Sequence, residues 1–138
     1  MELSYLVTPF LAWLITGGVK FLINSLRVKR LAFDLIGYGG MPSNHSSIVS
    51  STVAIIIFND GLQEPAVVVA LALAFIVMLD ANSLRQQVSK HAKALNKING
   101  KHSEPPLRER IGHTRSEILA GVVTGVCAAG LVFYVHNM

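Results

Sequence analysis

The sequence predicts an all-α fold, an integral membrane bundle of about four transmembrane helices with a basic amphipathic interfacial helix in the third loop. Three observations carry that prediction. Hydrophobic residues make up 51% of the chain and charged residues only 14%, against roughly 25% charged in an ordinary soluble domain. Long apolar stretches follow one another along the chain. The cations gather in the segments on one side of those stretches. With 138 residues, the chain is long enough for a single membrane-embedded domain, 1–138.

The first apolar stretch runs from Leu3 to Val19 without a charge and continues past Lys20 to Leu26. The opening Met-Glu-Leu-Ser lacks the positive region of a secretory signal, so this stretch is expected to stay in the protein. The second covers Ser46 to Asn59, the third Pro65 to Leu79 and the fourth Ile118 to Val135. Spanning a bilayer takes about 20 residues, so the second and third need flanking polar residues near the interface. In the fourth, Ala120, Gly121, Gly125, Ala128, Ala129 and Gly130 suit close helix packing in lipid, and Gly121 with Gly125 forms a GxxxG pair.

Lys20, Arg27, Lys29 and Arg30 close the first stretch, and every other Lys and Arg lies between Arg85 and Arg115. With four spans, the first and third loops share one side, and the positive-inside rule makes it the cytoplasm. A site that binds phosphate would place cations there too. Within the third loop, Leu84, Val88, Ala92, Leu95 and Ile98 recur at helical spacing, with Arg85, Lys90, Lys93 and Lys97 on other faces. This is the pattern of a basic helix at a membrane surface. Asn99-Gly100 is expected to end it, and Glu104-Pro105-Pro106 to form a rigid connection to the last helix.

The net charge of +4, on so apolar a chain, points to lipid head groups or phosphate rather than nucleic acid. Cys127 is the single cysteine, which excludes a disulfide within the chain, and no CxxC or HExxH metal motif is present. No cofactor is expected.

Two polar clusters interrupt the apolar pattern. The first is GGMPSNHSS, Gly39 to Ser47. Its glycines permit a tight turn, Pro42 fixes the chain before a helix, and Ser43 or Asn44 can cap it. His45 then falls in the first turn, where free N–H groups and the positive end of the helix dipole suit phosphate. The second cluster is Gly112-His113-Thr114-Arg115-Ser116-Glu117. His113 and Glu117 are four apart and share a helical face. A histidine with one ring nitrogen held by a carboxylate has the other free to attack or to accept a proton. Thr114 and Glu117 also fit a capping box, so two uses compete for one carboxylate.

Topology places both histidines on the basic side. The first helix ends there with Lys20 and Arg27, seven apart and on roughly one face. The third brings Asp80 and, just beyond, Arg85. An ionisable residue within a span costs on the order of 2.5–3.5 kcal/mol on insertion scales. Lys20 can reduce that cost by reaching toward the interface, and Asp80 by pairing with a cation. Together these residues suggest a shared anion site.

The same residues resemble the type 2 phosphatidic acid phosphatase family, which is related to the vanadium haloperoxidases, and in particular its small divergent membrane branch. The family's first block is a lysine, six residues, then arginine and proline; Lys20 to Arg27 has that spacing, with Val28 in place of proline. Its second block, Pro-Ser-Gly-His, is met by Pro42-Ser43-Asn44-His45. Its third pairs a histidine with an aspartate four residues on; here His113 pairs with Glu117, and the arginine expected six residues before His113 is replaced by Leu107. The divergent branch is similar in GGMPS-x-H, in Asp80-Ala81 followed by Arg85, and in the Gly-His-Thr before the last helix.

The resemblance implies hydrolysis of a lipid phosphomonoester or diphosphate. His113 would be the nucleophile, Glu117 its partner and His45 the general acid and base. Lys20, Arg27, Ser43, Asn44 and Arg85 would hold the phosphoryl group, and Asp80 would orient Arg85; Arg108 and Arg110 are alternatives to Arg85. No metal is required. The family's six-helix bundle is shortened here to about four, which leaves room for a second copy of the chain as a homo-oligomer. The same residues are open to a phosphoryl or head-group transferase. A small transporter or channel subunit, with Lys20 and Asp80 lining a path, is the reading from another class.

Overall fold

The computed structural model describes residues 3–31, 33, 40–99 and 105–138. Gly39 of the first polar cluster, Gly100 of the expected helix stop and Glu104 of the expected rigid connection lie outside the described residues.

The chain forms helices α1 (Leu3–Val28), α2 (Asn44–Asp60), α3 (Pro65–Leu79), α4 (Arg85–Asn99) and α5 (Arg115–His136). A π-helical turn, Asp80–Leu84, joins α3 to α4. Among the described residues, three helical runs are long and apolar enough to cross a membrane: Leu3–Val28, Pro65–Ile98 and Arg115–His136. Helix α2, with 17 residues, is shorter and packs among the others, against α1, α3 and α5.

The basic amphipathic segment is not a separate element across a loop. It continues α3 directly, because neither glycine nor a second proline lies between Pro65 and Asn99 to stop the helix. The 34-residue run extends about 50 Å at 1.5 Å per residue. That exceeds a hydrocarbon core of about 30 Å, so α4 carries its lysines beyond the apolar layer.

Burial is the reverse of that in a soluble domain. The interior is built from small and hydroxylic residues, including Ala12, Ala54, Ala74, Ala129, Thr8, Thr16, Ser46, Ser47 and Ser51. The large apolar side chains, such as Leu6, Phe10, Leu14, Val68, Val69, Phe75, Ile76 and Leu119, face outward. Lipid solvates those side chains as well as a protein core would, so helix association depends on close packing and interhelical hydrogen bonds. Both are present. Thr16 Oγ1 donates to Ser47 Oγ at 2.7 Å, joining α1 to α2, and Ser50 Oγ donates to the Val122 carbonyl at 3.3 Å, joining α2 to α5.

The GxxxG pair of α5 forms the tightest seam. A Cβ on Gly121 would sit 2.9 Å from Ser46 Cβ and would overlap the Ser43 carbonyl oxygen. One on Gly125 would sit 3.0 Å from the Ser47 carbonyl carbon and would overlap Ser47 O and Ser50 Oγ. Helix ends are paired as well. At one end of the bundle Tyr5 donates to Asp60 at 2.6 Å and Asn59 donates to Ser4 Oγ at 3.2 Å, so α1 and α2 run antiparallel. At the other end the Ser43 N–H donates to the Glu117 carbonyl at 2.9 Å, which brings the starts of α2 and α5 together.

Gly125→Ala is expected to destabilise the bundle by about 1–3 kcal/mol through overpacking against backbone. Gly17→Ala, whose added methyl meets nothing within 4 Å, is expected to be neutral or stabilising by up to about 1 kcal/mol through helix propensity. Thermal unfolding of both variants in detergent micelles measures the contrast.

Candidate functional site

Four chain segments meet at the end of the bundle where α2 and α5 begin: the last turns of α1, the start of α2, the π turn after α3, and the residues leading into α5. Each is held there by an identifiable interaction.

Ser43 is the N-cap of α2. Its hydroxyl accepts from the Ser46 N–H at 3.4 Å and from Ser46 Oγ at 3.1 Å, and the residue is fully buried. Its own N–H is used by the Glu117 carbonyl. The backbone donor of Ser43 is thus engaged within the protein, where it docks α2 on α5, while its hydroxyl serves as the acceptor of the cap. Asn44 and His45 open the helix behind this cap. Asn44 Oδ1 and His45 Nδ1 are buried atoms without a hydrogen-bond partner among the described residues.

Thr114 is the N-cap of α5 in a complete capping box. Thr114 Oγ1 accepts from the Glu117 N–H at 3.3 Å, and Glu117 Oε2 accepts from the Thr114 N–H at 3.0 Å. The same Oε2 lies 3.2 Å from His113 Nδ1. The two uses foreseen for this carboxylate coexist, because an anionic oxygen can accept two hydrogen bonds. Nδ1 then carries the ring proton and Nε2 keeps its lone pair. Arg110 Nη2 approaches the other oxygen, Oε1, at 3.7 Å from an exposed position. His113 and Glu117 are themselves buried.

The His45 and His113 rings are 6.2 Å apart between centroids, tilted by 58°. Lys20 reaches this region from α1. It is only 9% exposed, and its ammonium has no hydrogen bond or ion pair among the described residues; its charge acts on Glu117, His113 and His45. Arg85 is fixed by Asp80, which accepts from Nε at 2.8 Å across the π turn. The Arg85 charge also reaches both histidines. Arg27 lies exposed at the end of α1, seven residues from Lys20 and thus about 10 Å further along the axis. Arg108, like Arg110, lies in an exposed stretch before α5. The arrangement thus brings together His45, His113, Glu117, Lys20, Arg85 and Asp80, with Asn44 beside them and Arg27 outside.

Some contacts were not legible in the motifs. The His113 N–H donates to the Ala81 carbonyl at 3.0 Å, and Gln86 Nε2 donates to the His113 carbonyl at 3.1 Å. Gly112 lies so close to α4 that a Cβ there would sit 2.7 Å from Gln86 Cγ and 2.9 Å from Gln86 N. The glycine before His113 was the available clue to a close backbone approach. Among the described residues no group of three His, Cys, Asp or Glu side chains could hold a metal ion.

A sequence model of the family described as the Divergent PAP2 family matches residues 1–128. The chain is also similar to the uncharacterized membrane protein YuiD of Bacillus subtilis (strain 168), with 25% identity over 150 residues, 96% of this chain and 92% of YuiD. No solved structure matches.

Burial pushes the His113 pKa below its ordinary value of 6.5, and the nearby charges of Lys20 and Arg85 act in the same direction; the hydrogen bond and charge of Glu117 oppose them. The folded state therefore favours the neutral ring, and below about pH 6.5 the unfolded chain binds the additional proton. The stabilisation from His113 is complete above that pH and is lost as the pH falls through the lower folded value. The unfolding temperature is expected to drop on acidification below about pH 6.5, and less steeply in His113→Gln; melting curves at a series of pH values test this.

Proposed function

The chain belongs to the Divergent PAP2 family, and from that premise we propose that it is a membrane lipid phosphatase that works through a phosphohistidine on His113. The observation that carries the reading is the pairing of the two imidazoles, 6.2 Å apart, beside the buried ammonium of Lys20, which makes no hydrogen bond or ion pair among the described residues and feels the Glu117 charge only at longer range. A buried cation without a counter-ion is costly unless a ligand supplies the charge. A phosphoryl group supplies it and is small enough to touch both rings.

The chemistry follows from the hydrogen bonds. Glu117 on Nδ1 leaves Nε2 of His113 as the nucleophile and balances the positive charge that develops on the ring. The Nε2 lone pair forms an N–P bond while the P–O bond to the lipid breaks. His45, protonated, gives its proton to the departing oxygen and releases the lipid alcohol from a phosphomonoester, or the lipid monophosphate from a diphosphate. A water molecule then attacks phosphorus, its proton passes to His45, and the N–P bond breaks. Inorganic phosphate leaves and His113 is neutral again.

Lys20 and Arg85 neutralise the phosphoryl oxygens throughout, with Asp80 holding Arg85 in orientation. The N–H groups of Asn44 and His45, ahead of the Ser46 N–H that the Ser43 hydroxyl caps, add donors at the positive end of the helix dipole. Arg27, at the rim, meets the charged head group. The substrate is a lipid phosphomonoester or diphosphate, of the phosphatidic acid, phosphatidylglycerophosphate or polyprenyl phosphate type. The one-sided distribution of Lys and Arg supports a site on the cytoplasmic face.

The purified full chain in mixed micelles is expected to release inorganic phosphate from at least one member of that panel, and to continue to do so in chelator. His113→Ala and His45→Ala are each expected to lower kcat by about 100-fold or more. Full turnover in both variants overturns the reading. Adding an alcohol acceptor separates hydrolysis from transfer, since a transferase yields a new phosphoester in place of inorganic phosphate.

A further inference from the structure

His113 lies in neither α4 nor α5; it belongs to the stretch of chain before α5 that has no regular structure of its own. Such a stretch would ordinarily leave a reacting side chain loosely placed. Here it is attached along α4 by side chains of the helix. Asn96 brackets one residue, donating from Nδ2 to the Leu107 carbonyl at 2.9 Å and accepting the Leu107 N–H on Oδ1 at 2.9 Å. Asn96 Nδ2 also donates to Glu109 Oε1 at 2.9 Å. Ser89 Oγ accepts the Ile111 N–H at 3.1 Å. Gln86 then holds the His113 carbonyl, and the Ala81 carbonyl holds the His113 N–H.

Those partners progress in opposite directions along the two segments, from Asn96 with Leu107 to Gln86 with His113. Six residues of extended chain cover about 20 Å, and ten helical residues about 15 Å, so the lengths are compatible. Gln86, Ser89 and Asn96 are spaced by three and seven, which puts them on one side of the helix. Ala92, buried while most of α4 is exposed, lies on the same third of the circumference. The missing Cβ of Gly112 permits the final approach to Gln86.

We propose that this neutral polar face of α4 is a positioning rail: Gln86, Ser89 and Asn96 grip the 107–113 segment and so set the depth and aim of the His113 ring. They touch no substrate and act only through His113. The basic residues of the helix are not part of the rail; apart from the Asn96 bond to the Glu109 carboxylate, its contacts are amide and hydroxyl hydrogen bonds to backbone groups. The kinetic consequence rests on the phosphatase reading above, whereas the positioning itself does not.

The test uses the full chain in detergent micelles, with Gln86→Leu and Asn96→Leu as variants. The titration of His113 is followed by NMR with nitrogen-labelled histidine, its signal assigned through His113→Gln. The groups facing the ring are Glu117, Lys20, Arg85 and His45, with Arg110 on the far oxygen of Glu117, and none is altered by either variant. Loosening the segment is expected to move the midpoint of His113 upward toward 6.5, its ordinary value, and to lower kcat for lipid phosphate by about tenfold or more with KM nearly unchanged. Asn96→Gln, which keeps both amide functions, is expected to restore part of the loss. If Gln86→Leu does not fold, Asn96→Leu, far from the histidine pair along the helix, decides alone. An unchanged His113 midpoint in the folded variants overturns the rail whatever the turnover does. A wild-type chain that releases no phosphate overturns the phosphatase reading and leaves the titration to decide the rail.

Discussion

The backbones of α2 and α5 approach so closely that neither Gly121 nor Gly125 has room for a methyl group, and the rest of the site depends on that approach. It lets the Ser43 N–H reach the Glu117 carbonyl at 2.9 Å, which brings two helix starts together at the same level. Two histidines placed one or two residues from those starts then necessarily become neighbours. In lipid, where apolar surface gives little drive for helix association, such a seam of glycine against serine is an effective way to hold two helices in register. The serines of α2 serve both to let the helix approach and to satisfy its hydrogen bonds within the bundle.

Glu117 is the junction of this arrangement. Its main-chain carbonyl docks α2, and one carboxylate oxygen both caps α5 and holds the ring of His113. A side chain with so many partners is well fixed, so the histidine inherits the rigidity of the helix start. The ammonium of Lys20, without a hydrogen bond or ion pair among the described residues, and the Asp80-oriented guanidinium of Arg85 add positive charge near this pair. A cluster of that composition suits a ligand that brings its own negative charge.

The π turn between α3 and α4 has a particular place in this design. A π turn shifts the helical register, and here it coincides with two contacts. Asp80 spans it to bind Arg85, and the Ala81 carbonyl accepts from outside the helix, from His113. The spanning helix and the segment carrying His113 are thereby joined at one point. The run continues through the turn into α4 because no helix-breaking residue intervenes.

The helical class, the extents of the apolar stretches, the cap at Thr114 and the pairing of His113 with Glu117 were legible in the sequence because each depends on residues within about four positions of one another. A helical repeat, a capping box and an i, i+4 pair carry their geometry locally. The helix α4 was legible in its amphipathic spacing, and its continuity with α3 was also locally encoded, in the absence of any glycine or further proline between Pro65 and Asn99. What the sequence could not disclose was how groups far apart in the chain divide their hydrogen bonds. That the Ser43 N–H goes to Glu117 rather than to a ligand, that Arg27 stays at the rim while Lys20 is buried, and that Gln86, Ser89 and Asn96 hold the approach to His113 were decided by tertiary packing. A donor or a charge is committed only when the helices dock, since until then water and head groups are equally available partners.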